Sequence, residues 1–454
     1  MGGQVSRREF VRRAALGAGA LLLANSRSAR TYAANGKLNI ALIGVGGRGK
    51  WYVDVVPKME NVVALCDVNE SKAEAACKLF PDLPKFHDFR VMLDKMGKEM
   101  DAVFVATPDF THAAAAVAAM QAGKHVLCEK PLTRTVYEAR VMRDIAQKHK
   151  VASQMGNQGS ASNSFRRGVE LVEEGALGEV TEWYGFNADG GPNIKEPPKE
   201  AAPCPEYLKW DLWLGPAQYR EFHPRWLGWT VWRDFSNYQL GNWGSHVCFL
   251  GWNALKLGSV WAMPPESRPR IRVQAEVSEI NKLSFPRWQV IRWKVPAREG
   301  FPPLTFTWVN GQGGAAQQAW DKIVDYRGKK FKAWACGGLI VGTKGRMENN
   351  AGECWFVPVP GEQEKGEVIS GPKKLPPSRG HEGDFFQACR GGIPAWGNFG
   401  NTGPYWEFMA LGSIATQFPD ELEYDPLECK IVNNAEADAL LNPPRREGWE
   451  LPTR

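Results

Sequence analysis

The run Leu38-Asn39-Ile40-Ala41-Leu42-Ile43-Gly44-Val45-Gly46-Gly47-Arg48-Gly49 decides the fold. Six residues of β-prone, mostly apolar chain lead into G-x-G-x-x-G, and a helix-compatible segment opens at Lys50. Strand, glycine turn and helix in this order form the dinucleotide fingerprint. Gly44 makes the tight turn, Gly46 lets backbone approach a pyrophosphate, and Gly49 permits close helix–strand packing. Gly47 and Arg48 complete the loop, and the helix N-terminus faces the phosphates. The next apolar run, Asn61 to Cys66, ends at Asp67, 18 residues beyond Gly49. A carboxylate there accepts ribose hydroxyls and repels a 2′-phosphate, which favours NAD over NADP.

The alternation continues outward. Asp101 to Ala106 reads as a buried strand ending at Thr107-Pro108, and an Ala-rich helix spans Ala113 to Gln121. Val126-Leu127-Cys128-Glu129-Lys130-Pro131 is a strand that ends in an acid, a base and a proline. Pro131 keeps Lys130 out of helical geometry, in an extended or turn conformation at the strand's carboxyl end, where open α/β sheets bind ligands. A helix over Val136–Lys150 and a strand over Val151–Met155 follow. Strands alternating with helices predict a doubly wound parallel sheet.

Composition sets the limits. The chain has 454 residues, 43% hydrophobic and 23% charged, enough for two or three domains. Residues 1–33 carry six Arg and one Glu, five of the formal net charge of +6, so the remainder is close to neutral and shows no basic stripe for nucleic acid. Arg7-Arg8, Phe10 and the uncharged run Ala14–Ala24 resemble a twin-arginine export signal. That run is too short for a stable membrane span, and Thr31-Tyr32-Ala33 offers a cleavage site. The expectation is a periplasmic or otherwise exported protein; a retained anchor is the alternative. Nine scattered Cys and seven scattered His show no metal-ligand spacing, so no metal is expected.

Taken together, Ala106-Thr107-Pro108, Thr111-His112, Gly123-Lys124-His125-Val126, Glu129-Lys130-Pro131-Leu132, Gly156-Asn157-Gln158 and Gly175-Ala176-Leu177-Gly178-Glu179-Val180 resemble the Gfo/Idh/MocA oxidoreductase family. The resemblance runs from about Leu38 to near the C-terminus. It implies a Rossmann domain over 35–156, after a signal at 1–34. It also implies a C-terminal α+β domain over 157–454, whose open, mainly antiparallel sheet faces the nicotinamide and offers a surface for pairing of copies. Strand candidates there are Val180–Phe186, Ile271–Val277, Trp288–Val295, Leu304–Val309, Leu339–Val341 and Cys354–Val357, with a hairpin turn at Gly342–Gly345. Long loops are expected at Asn187–Glu206 and Pro358–Arg379, and a helix after His381.

The site follows from this frame. Gly241-Asn242-Trp243-Gly244-Ser245-His246 matches the family's Gly-Asp-x-Gly-x-His, in which acid and His share one helix face toward the substrate. Oxidising a secondary alcohol needs a base for the hydroxyl proton; an imidazole suits this, whereas a lysine needs its pKa lowered. The expected catalytic group is Lys130, His246 and Asn242. Asn242 departs from the family's Asp, and a neutral amide orients a hydroxyl but takes no proton. Cofactor contacts are expected from the glycine loop, Asp67, Thr107, Pro108, Glu129, Lys130, Asn157 and Gln158. His112 is a further candidate, with a structural role as its alternative. Trp210, Trp213, Trp226, Trp229 and Trp232 read either as sugar-stacking platforms or as a structural subdomain.

Three functions are consistent with these residues. The leading one is an exported oxidoreductase with tightly bound NAD, passing hydride to or from a secondary alcohol of a sugar, glycoside or cyclitol. The second is an NAD-dependent glycoside hydrolase working by oxidation, elimination and re-reduction. The third is a non-catalytic ligand-binding protein.

Overall fold

The computed structural model describes residues 36–452 apart from 268, 325–329, 331–334, 359–366 and 369. The expected export signal at 1–34 therefore lies outside the described residues.

Two sheets organise the chain. The first holds β1 (Asn39–Ile43), β2 (Asn61–Cys66), β3 (Lys85–Phe86), β4 (Ala102–Val105), β5 (His125–Cys128) and β6 (Ser153–Met155). All six are parallel, in the order β3-β2-β1-β4-β5-β6, with helices on both faces. β4 and β5 are buried at every position. Strands covered on both faces carry unbroken apolar runs, which is why the sequence showed them. β3, two residues with one half-buried and one exposed, carried no such run. The helix Val136–His149 opens on a capping box between Thr135 and Glu138.

The second sheet has ten strands: β7 (Val180–Asn187), β8 (Ile271–Val277), β9 (Gln289–Val295), β10 (Leu304–Asn310), β11 (Cys336–Gly342), β12 (Gly345–Asn349), β13 (Cys354–Pro358), β14 (Glu367–Val368), β15 (Leu422–Asp425) and β16 (Lys430–Ile431). Their order is β14-β13-β12-β11-β7-β10-β9-β8-β15-β16. Only β7 and β10 pair in parallel. The expected hairpin turn joins β11 to β12, a strand the sequence reading passed over, along with β14, β15 and β16.

The helix Phe399–Ala415 was not anticipated. It is buried on almost every side, so it has no amphipathic period, and Gly400, Gly403 and Pro404 disguise its first turns. It packs between the second sheet and the helix Val136–His149. On one side Phe408 stacks on Trp293 at 5.2 Å, and Trp293 on Phe306 at 4.9 Å. On the other, a Cβ added at Gly403 would stand 2.8 Å from Arg143 Cβ, so glycine allows the two helices to close. Farther back in the chain, the helix His381–Cys389 returns to the first sheet, setting Phe385 and Phe386 against Phe104 at 5.4 and 5.9 Å.

One buried ion pair pins these layers. Arg140 Nε donates to Glu407 Oε1 at 2.7 Å, and Glu407 also accepts from Trp261 Nε1 and Tyr424 Oη, both at 2.8 Å. Glu407 is fully buried. Removing one member strands the other charge out of water, at about 3–5 kcal/mol. Glu407→Ala is expected to lower unfolding free energy by about that amount in urea titration, and Arg140→Met with Glu407→Leu to recover most of it.

Candidate active site

The glycine loop is shaped by close approach. Gly44 has φ +79°, and a Cβ there would lie 2.6 Å from Ala106 O; one at Gly49 would lie 1.9 Å from Gly44 O. Either side chain would force the loop off β4. Asp67 ends β2 beside this loop. Its Oδ2 accepts from Val45 N at 2.9 Å and Gly46 N at 3.3 Å, and its Oδ1 from Asn69 N at 2.9 Å. A carboxylate has about four acceptor positions, so these bonds leave about one for a ribose hydroxyl. Asp67 therefore stiffens the loop, a role that sequence spacing did not reveal.

A cavity of about 280 Å³ opens there, lined by Gly44, Gly46, Gly47, Asp67, Thr107 and Pro108 on one side. Its far wall is Trp213, Leu227, Trp229 and Trp449. Trp213 also belongs, with Trp210, Trp226 and Trp232, to a core that holds Phe110, Leu214 and Phe235, and Trp229 packs against it. Most of the Trp-rich segment is thus core, while Trp213 and Trp229 also line the cavity beside the glycine loop. Trp449, over 200 residues later in the chain, carried no sequence signal for this position.

Glu129 is the junction of the site. Its Oε1 accepts from Arg48 Nε and Tyr52 Oη, both at 2.7 Å, and its Oε2 from the Lys130 N–H at 3.0 Å. Burial alone would raise its pKa, but the Arg48 charge and these hydrogen bonds outweigh it and hold the carboxylate low. Three protein donors leave the Glu129 carboxylate, like that of Asp67, about one acceptor position for the expected ribose bond. Arg48 is accordingly a partner of Glu129, with its side chain still 39% exposed.

His112 is corrected to a brace. It is fully buried, with its ring nitrogens 2.8 Å from Thr107 O and 2.9 Å from Pro131 O, and has no polar atom left for a ligand. Burial lowers its pKa. The ring stands between the segments that follow β4 and β5 and, kept neutral by burial, donates to one of the two carbonyls.

Lys130 and Asn242 do come together. Lys130 Nζ lies 3.3 Å from Asn242 Oδ1 and 3.5 Å from Asn242 O. The Lys130–Pro131 bond is cis. Pro131 packs directly on Gly241, where an added Cβ would meet Pro131 Cγ at 3.2 Å. The expected α-helix around Asn242 is instead a π-helix over Leu240–Gly244, running into an α-helical turn at Ser245–Val247. Such widened turns occur frequently at functional sites. His246 sits on that following turn, beside the segment Gln158–Ala161. Burial, then the Lys130 charge, push its pKa down to about 3. Its buried Nδ1 has no hydrogen-bond partner among the described residues.

The same is true of both side-chain polar atoms of Asn157, which is fully buried, and of Gln158 Nε2. Buried amides are normally bonded, so this group is arranged for a partner the chain itself does not supply. Asp109 is a residue the sequence reading missed. It is buried two residues after Thr107, accepts from Ser236 Oγ at 2.9 Å, and is pushed up to about 7 by burial, with the Lys130 charge opposing. An acid placed just beyond a strand-end proline was the available signal. Among the described residues no cluster of His, Cys, Asp or Glu could hold a metal ion.

Comparison with known proteins agrees with this geometry. Residues 38–157 match the Gfo/Idh/MocA model, described as an oxidoreductase family with an NAD-binding Rossmann fold. Levoglucosan dehydrogenase of Pseudarthrobacter phenanthrenivorans is 30% identical over 161 residues, 33% of this chain and 40% of that protein. A glycosyl hydrolase family 109 protein of Solibacter usitatus is 31% identical over 198 residues, 39% of this chain and 44% of that protein. The chain thus spans less than half the length of the curated relatives it matches. A solved levoglucosan dehydrogenase, in complex with NADH and levoglucosan, superposes with a TM-score of 0.57 at 16% identity, covering 85% of this chain and 99% of that one, which shows a shared fold. Residues 38–157 thus carry an NAD-binding Rossmann fold that matches the Gfo/Idh/MocA oxidoreductase family model.

Proposed function

We propose that this protein is an exported NAD-dependent oxidoreductase acting on a secondary alcohol of a sugar, glycoside or cyclitol. The observation that carries this reading is the meeting of Lys130 Nζ with Asn242 at the carboxyl end of the parallel sheet, with His246 one turn beyond.

The residues fit a dinucleotide. The Gly44–Gly49 loop, the last acceptor position of Asp67, and Thr107 and Pro108 would hold its phosphate and ribose groups, while the unpartnered amides of Asn157 and Gln158 would take its polar edge. Asp67 favours NAD over NADP. When bound, the nicotinamide supplies the hydride acceptor. The chain's own part is the proton. Lys130 would hold the alcohol oxygen through its ammonium and stabilise the negative charge that grows there as the O–H bond breaks. The proton would pass to the neutral imidazole of His246. Asn242 would orient Lys130 through Oδ1 and leave its charge uncompensated, since an amide carries none.

Lys130→Met is expected to lower kcat for sugar or cyclitol oxidation by ~10²-fold or more, read by NADH absorbance, while NADH still titrates to saturation. Because His246 stays neutral above about pH 4–5, the profile should show no limb near ~6.5, the ordinary histidine value. Purified protein that neither contains nor binds NAD(H), or hydride transfer unchanged in the variant, would overturn the reading in favour of a non-catalytic binder. A second reading rests on the likeness to the glycosyl hydrolase family 109 protein. There, transient oxidation would acidify a neighbouring C–H, and a glycosidic group would be eliminated before water adds and hydride returns. Release of aglycone without net NADH would assign it.

The raised pKa of Asp109 makes a stability prediction. The folded protein holds this proton to about pH 7, whereas the unfolded chain releases it near ~3.9. Stability contributed by the protonated carboxyl is present below the lower value and lost as pH rises through the upper one. Asp109→Asn should therefore match the parent near pH 4 and exceed it by up to about 4 kcal/mol at pH 8 in denaturant unfolding.

Export rests on Arg7, Arg8, Phe10 and the short apolar run. Arg7→Lys with Arg8→Lys should leave the full chain in the cytoplasm on cell fractionation; continued export of that variant would sink this part.

A further inference from the structure

A second cavity, of about 480 Å³, lies between the start of the helix Val136–His149, the loops around Pro216 and Pro443, and the helix Phe399–Ala415. It shares no lining residue with the cavity beside the glycine loop. Five basic side chains line it, Arg134, Arg220, Arg233, Lys282 and Arg445, against the acids Glu138 and Asp234.

The acids are spoken for. Asp234 pairs with Arg220 at 2.7 Å and Glu138 with Arg445 at 3.2 Å, while Lys282 pairs with Glu436 at the surface. Arg233 is buried and bonds only neutral oxygens: Asn281 O and Ser284 O at 2.7 Å, Thr416 Oγ1 at 2.9 Å and Ser413 O at 3.1 Å. Burial presses its pKa to about 9, so it remains charged at neutral pH. Arg134 lines the same cavity, and burial likewise lowers its pKa. Its guanidinium reaches only Arg233 O, at 3.4 Å, and contacts no acid among the described residues. Neither guanidinium has an acid within direct ion-pair distance among the described residues, and Glu138 and Asp234 act on Arg134 only from farther off.

We propose that this cavity binds a small molecule bearing a tetrahedral oxyanion, a phosphate or sulfate monoester. Guanidinium forks converging from separate elements suit three or more oxygens spread in space, where a lone planar carboxylate is met by one fork. Phe110, Ile414 and Leu440 supply an apolar wall for the organic group, and the volume is that of a small-molecule site. The occupant shares backbone with the candidate active site but none of its side chains. Arg134 follows Lys130 by four residues, and its carbonyl accepts from Asn237 Nδ2 at 2.9 Å, next to the Ser236 that bonds Asp109. This inference does not rest on the oxidoreductase reading.

Isothermal titration of the export-processed chain with inorganic phosphate, inorganic sulfate or malonate, at matched ionic strength, tests it. Saturable binding of phosphate or sulfate is expected, and the tighter of the two names the source. Arg134→Met should weaken it about tenfold or more, as loss of a charge-assisted bond implies. NADH should not compete, since an anion on the glycine loop would be displaced by it. Should Arg134→Met fail to fold, Arg220→Gln with Lys282→Gln on the rim should weaken binding severalfold instead. No saturable binding of either anion, malonate binding as tightly, displacement by NADH, or unchanged affinity in the folded variants would overturn the proposal.

Discussion

The carboxylate of Glu129 is the constraint on which the site depends. It is buried at the end of β5, and taking an ion out of water costs several kcal/mol unless its lone pairs are met. Arg48, Tyr52 and the Lys130 N–H meet them. Arg48 belongs to the glycine loop and Tyr52 to the helix it opens, so the three bonds join the nucleotide loop to the backbone of Lys130. Gly156 completes the junction: a Cβ there would fall 2.7 Å from the Glu129 carboxyl carbon, so the end of β6 closes on it only because that residue is glycine. The acid is thus a structural tie between two functional segments, and its ionised state is what keeps the tie intact.

Charge around Lys130 follows a consistent logic. Where the family pattern places an acid, Asn242 offers a carbonyl oxygen, so the ammonium is bonded without being neutralised. Its field then presses His246 toward the neutral form and partly offsets the burial of Asp109. A neutral imidazole beside a cation can accept a proton as charge develops on a bound oxygen. The π-helical turn adds the geometry. By widening the backbone at Asn242 it lets Gly241 rest on Pro131, bringing the partner to the lysine rather than the lysine to the partner.

The second half of the chain serves the first in two ways. Its sheet and the helix Phe399–Ala415 form the support behind Asn242 and His246, with Tyr405 donating to Gly244 O at the π-helix. Its Trp-rich segment and Trp449 close the far side of the nucleotide cavity. Most of the described tryptophans fill cores, and only Trp213, Trp229 and Trp449 among them line this cavity.

What the amino-acid sequence determined by itself was local. Gly44 and Gly49 are legible because a turn and a close contact demand them at fixed offsets, and β1, β4 and β5 because strands buried on both faces are apolar without interruption. Lys130 and Asn242 were legible as motif members. The tertiary structure decided the rest. Asp67 and Glu129 read as ribose ligands, and only the tertiary structure brings each of them three further donors from the chain itself. His112 became a brace because two carbonyls from separate strands flank it. The helix Phe399–Ala415 and the cationic cavity left no trace in any period or spacing, and the burial of Asp109 and of the Asn157 amide was set by packing alone. Burial on all sides erases amphipathicity, and the number of partners a polar atom has is set by segments hundreds of residues away.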